Sequence, residues 1–219
     1  TWNVTSAIQA HDAQVASSGI TTVFDCLRLG RDDDGGFEKG EMRAMSDAIA
    51  QAQIEGRLRS DHKIHLRCEV SAPDVLDHYE EFANDDSVGL MSLMDHAPFQ
   101  RQFETMEHYT LYYKTKRGMT DEDFKKFCDR RLAQSEKYSD VHRSTLAGMA
   151  KERKIAIASH DDAKREHVEE SAGFGVTVAE FPTTMTAAKA SHEAGMGVLM
   201  GAPNVVRGKS HSGNISARE

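Results

Sequence analysis

The sequence predicts an α/β fold built on a parallel sheet and, within that class, the inside of a (β/α)8 barrel. Short apolar runs alternate with helical periodicity along the 219 residues, and right-handed βαβ units are how such an alternation buries both faces of its strands. The runs also close on ionisable side chains. The clearest is Lys154-Ile155-Ala156-Ile157-Ala158-Ser159-His160-Asp161-Asp162, and parallel α/β folds keep their chemistry at the carboxyl ends of their strands. These charged ends are spread over at least four runs, as around a barrel mouth. A doubly wound open sheet is the rival, but the chain has no Gly-rich phosphate turn after its first strand.

The elements follow in order. A helical pattern over 6–18 opens the chain, and the first strand, 21–26, follows it. Helix 39–57 leads to strand 64–70, and helix 73–84 to strand 88–94. Helical patterns then cover 105–116, 120–138 and 141–153, with Thr120-Asp121-Glu122-Asp123 reading as a capped start. Strand 154–159, helix 165–172, strand 176–180, helix 184–194 and strand 197–200 complete the series. Each strand is short, apolar and bounded by Gly, Asp or Pro. The chain thus reads as one domain over 1–219, with a helical insertion at about 97–153 that exceeds a standard connection and suits a lid. Six units fall short of the eight of a complete barrel, which needs about 250 residues. The sequence starts at Thr1 without an initiator Met, so it reads as part of a longer protein lacking the first and last strands.

Composition excludes several functions. A net charge of -8 argues against general nucleic-acid binding, which needs a basic surface to displace counterions. No stretch approaches the ~20 apolar residues that span a bilayer, and the first residues given lack the basic-then-apolar order of a signal peptide. Cys26, Cys68 and Cys128 lack zinc-type spacing, and two of them sit in strand-like runs where a reduced thiol is the default. A cytoplasmic, soluble protein is expected. Two sheet edges left without partners make a homo-oligomer one way of covering them.

Glu69, His96 and His160 are the leading metal-ligand candidates, because each follows an apolar run and each residue type binds divalent cations. Any one alone is also explained as a strand-end side chain bonded to a loop amide. Asp95, Asp161 and Asp162 adjoin the histidines as ligands, a general base, or acceptors that fix imidazole tautomers. Glu180 ends another run, and a cap for the helix starting near Thr184 is its other account. His65 and Arg67 share the strand parity of Glu69, and an inward Arg needs an anion or carboxylate partner. The stretch 200–214 has the composition of a phosphate-gripping loop, with Arg207, Lys209, Ser210, His211 and Ser212 as donors. It is not a Walker loop, since Gly208-Lys209-Ser210 lacks the upstream Gly. Phe99-Gln100-Arg101-Gln102-Phe103 is a second donor-rich patch, and Asp32-Asp33-Asp34-Gly35-Gly36 reads as a solvated turn.

Several strings resemble the PhnM family, the amidohydrolase-superfamily member of the carbon–phosphorus lyase pathway. They are His65-Leu66-Arg67-Cys68-Glu69, Ser92-Leu93-Met94-Asp95-His96, Ala158-Ser159-His160-Asp161-Asp162, Ala179-Glu180-Phe181-Pro182-Thr183-Thr184 and Gly201-Ala202-Pro203-Asn204-Val205-Val206-Arg207-Gly208. Ser18-Gly19-Ile20-Thr21-Thr22-Val23 and Ser210-His211-Ser212-Gly213-Asn214 match as well. The resemblance implies a metal-dependent (β/α)8 hydrolase acting on a phosphorylated sugar phosphonate, α-D-ribose 1-methylphosphonate 5-triphosphate, and releasing pyrophosphate. It implies one or two divalent ions, Zn or Mn, held by Glu69, His96, His160 and Glu180. Asp161 and Asp162 take catalytic roles by the same resemblance, and Arg67, Arg101, Arg207 and Lys209 are the phosphate-side candidates on charge and placement. The chain lacks the family's first-strand His-x-Asp or His-x-His motif and its eighth-strand Asp, so it is expected to be inactive alone. A non-catalytic phospho-sugar or partner-binding module, and a hydrolase of cyclic amides or N-acyl compounds, are the competing functions.

Overall fold

A computed structural model describes residues 3–31, 39–101, 106–115, 118–210 and 214–219. The acidic turn at 32–36, Gln102 and Phe103, and His211 and Ser212 lie outside the described residues.

The first helix, α1 (Val4–Ser17), starts at Asn3, whose side chain accepts from the Thr5 amide at 2.9 Å. Six strands follow with helices between them: β1 (Thr22–Leu29), α2 (Glu41–Ile54), β2 (Asp61–Glu69), α3 (Val75–Glu80) and β3 (Val88–Met94). A short helix α4 (Met106–Tyr109) then runs into a π-helical turn, Thr110–Thr115. After it come α5 (Asp121–Glu152), β4 (Ala156–His160), α6 (Arg165–Gly173), β5 (Val178–Glu180), α7 (Met185–Glu193), β6 (Gly197–Leu199) and α8 (Ala202–Arg207).

All six strands are parallel, and their order in the sheet is their order in the chain. Right-handed crossovers that always step the same way place their helices on one face. A doubly wound sheet needs a reversal of order, and these strands show none. The register assigns the faces. Leu27, Leu29, Ile64, Leu66, Cys68, Met91, Leu93, Ile157 and Ala179 pack under the helices with Ile49, Leu146 and Val168 as the main core. Fully burying a Leu or Ile contributes about 1.5–3 kcal/mol, so this layer supplies the rigidity on which the opposite face depends. That opposite face carries Cys26, Arg28, His65, Arg67, Glu69, Ser92, His160 and Glu180.

Several elements depart from expectation, three of them for reasons the contacts make plain. The segments predicted as helices 120–138 and 141–153 are one helix of 32 residues. Ser139 between them spends its hydroxyl on Asp95 at 2.6 Å rather than on its own backbone, so nothing competes with the helix there. Strand β1 runs on to Leu29, because Arg28 and Leu29 still pair with Arg67 and Cys68. The predicted loop over 200–214 begins instead with α8, which has Pro203 in its first turn and ends at Gly208 with φ 73°. Among the described residues no helix is long and apolar enough to cross a membrane.

Candidate functional site

Two strand ends and one loop bring the site together. β4 ends in His160, and the next residue, Asp161, turns out of the sheet with φ 55°. β5 ends in Glu180, and Phe181 turns in the same way with φ 55°. A bulky Phe in the left-handed region costs energy that its surroundings must offset. Here its amide donates to Leu199 O at 3.0 Å, and its ring meets the His160 ring edge-on at 5.6 Å. The Asp161 amide likewise donates to Glu180 O at 3.0 Å, holding the two turns side by side. His96 follows β3, and donor atoms of His96, His160 and Asp161 lie within 4.8 Å of one another.

Each imidazole is backed by a carboxylate. His160 Nδ1 is 3.2 Å from Glu180 Oε2, and its Nε2 is 3.2 Å from a guanidinium nitrogen of Arg67. A guanidinium only donates, so Nε2 accepts, and the proton on Nδ1 goes to Glu180. His96 Nδ1 is 2.5 Å from Glu69 Oε2, and the His96 amide donates to Glu69 Oε1 at 3.0 Å. Burial alone would raise the Glu69 pKa, but the His96 and Arg131 charges, with the hydrogen bonds from His96, hold it well below the usual range. For His96, burial pushes down, yet Glu69 wins and raises it. Glu180 is also held low against its burial by hydrogen bonds from His160 and Ser92.

Behind the group runs a second chain of contacts. Ser92 Oγ donates to Glu180 Oε2 at 2.5 Å and also sits 2.5 Å from His65 Nε2, whose Nδ1 is 3.3 Å from Cys26 Sγ. Burial pushes the His65 pKa down to about 4, against the pull of Glu180, so this ring is neutral near pH 7.

The sequence-predicted residues therefore divide. His96, His160 and Asp161 converge, with Glu69 and Glu180 directly behind the two rings and Arg67 against His160. Glu180 does not cap α7; Thr184 does, its hydroxyl accepting from the Ala187 amide at 3.1 Å. Asp162 and Arg101 are buried against each other, and Arg101 also pairs with Glu170, so the arginine predicted to face phosphate is spent on carboxylates. Asp95 accepts from Ser135 and Ser139 at 2.8 and 2.6 Å and ties α5 to β3. Arg207 and Lys209 stand exposed on and after α8. The same strand parity puts His65, Arg67 and Glu69 on one face, as expected.

Sequence reasoning missed Arg131, Ser71 and Ser92. Arg131 is 1% exposed and donates to Glu69 Oε1 at 3.1 Å, while the Ser71 hydroxyl donates to the same oxygen at 2.7 Å. Arg131 was legible in principle. It shares the buried stripe of α5 with Phe124, Phe127, Cys128 and Ser135, and an Arg in such a stripe needs a buried anion.

The fold and site together define a parallel α/β protein whose histidines and carboxylates gather at the carboxyl ends of its strands. No protein-family model matches the chain. The chain is 45% identical, over 218 residues that span it completely, to alpha-D-ribose 1-methylphosphonate 5-triphosphate diphosphatase of Escherichia coli (strain K12). Those residues cover 58% of that protein's length. The resemblance read from the motifs thus extends over the whole chain.

Proposed function

We propose that this chain is the central part of a metal-dependent phosphohydrolase that cleaves α-D-ribose 1-methylphosphonate 5-triphosphate to the 5-phosphate and pyrophosphate. The observation that carries it is the group His96, His160 and Asp161 at the carboxyl edge, each imidazole with a carboxylate on its Nδ1. The relative's diphosphatase activity names the substrate. In this reading the six strands are six of the eight in a (β/α)8 barrel of the amidohydrolase superfamily, acting in the cytoplasm. The sequential parallel order supports it.

The donor chemistry fits a divalent ion of the Zn or Mn kind, since two imidazoles and a carboxylate are suitable ligands and carboxylate-backed histidines are the usual support. His96, His160 and Asp161 would hold it. Such an ion supplies a polarised phosphoryl oxygen and an activated water. The protein's own residues do the rest. Glu69 and Glu180 set the tautomers of the two rings and keep their Nδ1 protons. Asp161 would offer the carboxylate that accepts a proton from that water. Arg67, half-buried on the same face, is the cation placed to meet a phosphate oxygen.

The test is to strip the full-length protein of metal, restore Mn2+ or Zn2+, add the ribose triphosphate and assay pyrophosphate. Release that requires both the ion and His160 is expected. Hydrolysis of a cyclic amide without pyrophosphate release would sink the assignment.

A further inference from the structure

His160 has one lone pair to offer. Its Nδ1 carries the proton bonded to Glu180, so coordination falls to Nε2. That nitrogen is already the acceptor for Arg67 at 3.2 Å. The guanidinium has no lone pair and keeps its charge at any ordinary pH, so a metal ion and Arg67 cannot both use this atom. Asp161 Oδ2, 3.4 Å from the same nitrogen, draws positive charge to the spot.

Arg67 is also loosely held. Among the described residues it makes no ion pair, and its acceptor is a neutral ring nitrogen. Arg131, by contrast, is fully buried on the Glu69 carboxylate. A half-buried cation with a neutral acceptor loses little on leaving it, whereas a buried arginine on a carboxylate loses a great deal.

We propose that Arg67 holds the place of the metal on His160 and is handed over to the substrate's phosphate when the ion arrives. This assignment rests on the metal-dependent reading above and adds a coupling to it. With an ion held on Nε2, the Arg67 guanidinium would be free to donate to an anionic oxygen on the open side of the sheet. Metal loading then raises affinity for the phosphorylated substrate, while Arg67 itself lowers affinity for the ion.

The test uses the metal-free protein and the variants Arg67→Met and Arg67→Lys, each checked for folding by circular dichroism. Titration with Zn2+ alone, followed by calorimetry, is expected to show roughly tenfold tighter binding to the Met variant, because one charge-assisted hydrogen bond no longer competes. Methyl phosphate added to the Zn2+-loaded protein is expected to bind the same variant roughly tenfold more weakly, with Lys returning part of that affinity. A residue that merely held the fold together would weaken both. Equal Zn2+ affinity in wild type and Met variant overturns the competition and leaves the metal reading standing. Tighter Zn2+ with unchanged methyl phosphate binding overturns the handover. Absence of stoichiometric Zn2+ binding in all three proteins overturns the metal reading and the competition together.

Discussion

The sheet carries histidine–carboxylate clusters at both of its ends, and they are built from the same residue types to different effect. At the amino end His62, near the start of β2, lies between Asp25 of β1 at 2.7 Å and Asp12 of α1 at 3.4 Å. Asp12 also accepts from the Arg59 and Ser60 amides and from the Arg59 guanidinium. Both nitrogens of His62 and both oxygens of Asp12 are spent on protein partners, and the cluster fastens α1 under the sheet. At the carboxyl end each ring meets a glutamate through Nδ1, and donor atoms of His96, His160 and Asp161 lie within 4.8 Å of one another. The difference lies in what gathers beside each ring. A histidine held between the carboxylates of a helix and a strand is a fastening, and one backed by a glutamate through Nδ1 beside a second histidine and an aspartate is placed as a ligand.

Single substitutions at the two ends should therefore separate activity from stability. In the full-length protein, His160→Ala is expected to lower kcat/KM by at least about 10³-fold while leaving the thermal midpoint within a few degrees of wild type. Comparable activity in that variant, measured by pyrophosphate release, would break the comparison at its strongest point. Arg131→Met tests the support behind the carboxyl-end group. It takes from the buried Glu69 one of the cations that hold it and is expected to destabilise the fold by about 3 kcal/mol in urea unfolding, with a further loss of activity as Glu69 no longer holds His96 in place. An unchanged urea midpoint would show that Glu69 does not need Arg131.

Much of this was legible in the residues, for reasons that also explain the gaps. Strand 88–94 was found to the residue because a largely apolar run ending in Asp95 allows few other structures. His96, His160 and Glu180 stood out because each closes such a run. Their division of labour was not legible, since strand parity says which face a side chain takes and not which of two carboxylates its ring will meet. Arg101 and Asp162 were assigned to substrate and catalysis from charge and from neighbours in sequence, and in the fold Arg101 meets Asp162 across 61 residues and Glu170 across 69. The break expected near Ser139 was wrong for a tertiary reason, as Asp95 takes up the hydroxyl that would have competed with the helix.

The amino-end cluster predicts the opposite pattern. His62→Ala leaves Asp12 and Asp25 facing a gap under α1 and is expected to cost about 2 kcal/mol, seen as a lower urea midpoint, with kcat unchanged wherever the protein is folded. Loss of activity in the folded variant would mean that the two ends are coupled through β1 and β2 rather than independent.

The smallest effect is also the one whose sign is best defined. Burial would raise the Asp12 pKa, but the Ser60 and Arg59 amides, the Arg59 guanidinium and His62 outweigh it and lower it from 3.8 to about 2. The folded form therefore binds this proton less readily than the unfolded chain. Its contribution to stability is complete above pH 3.8 and is lost as the pH falls through about 2. Asp12→Asn keeps an acceptor for the backbone amides and removes the charge, so the stability difference between wild type and variant should shrink steadily over that window and be flat above it. Other depressed carboxylates, Glu69 among them, remain in both proteins and cancel in the difference. Urea midpoints taken between pH 5 and pH 2 would measure it. A difference that grows as the pH falls would reverse the sign and with it the role assigned to Asp12, while an unshifted pH profile of activity in Asp12→Asn would keep the amino end out of the chemistry.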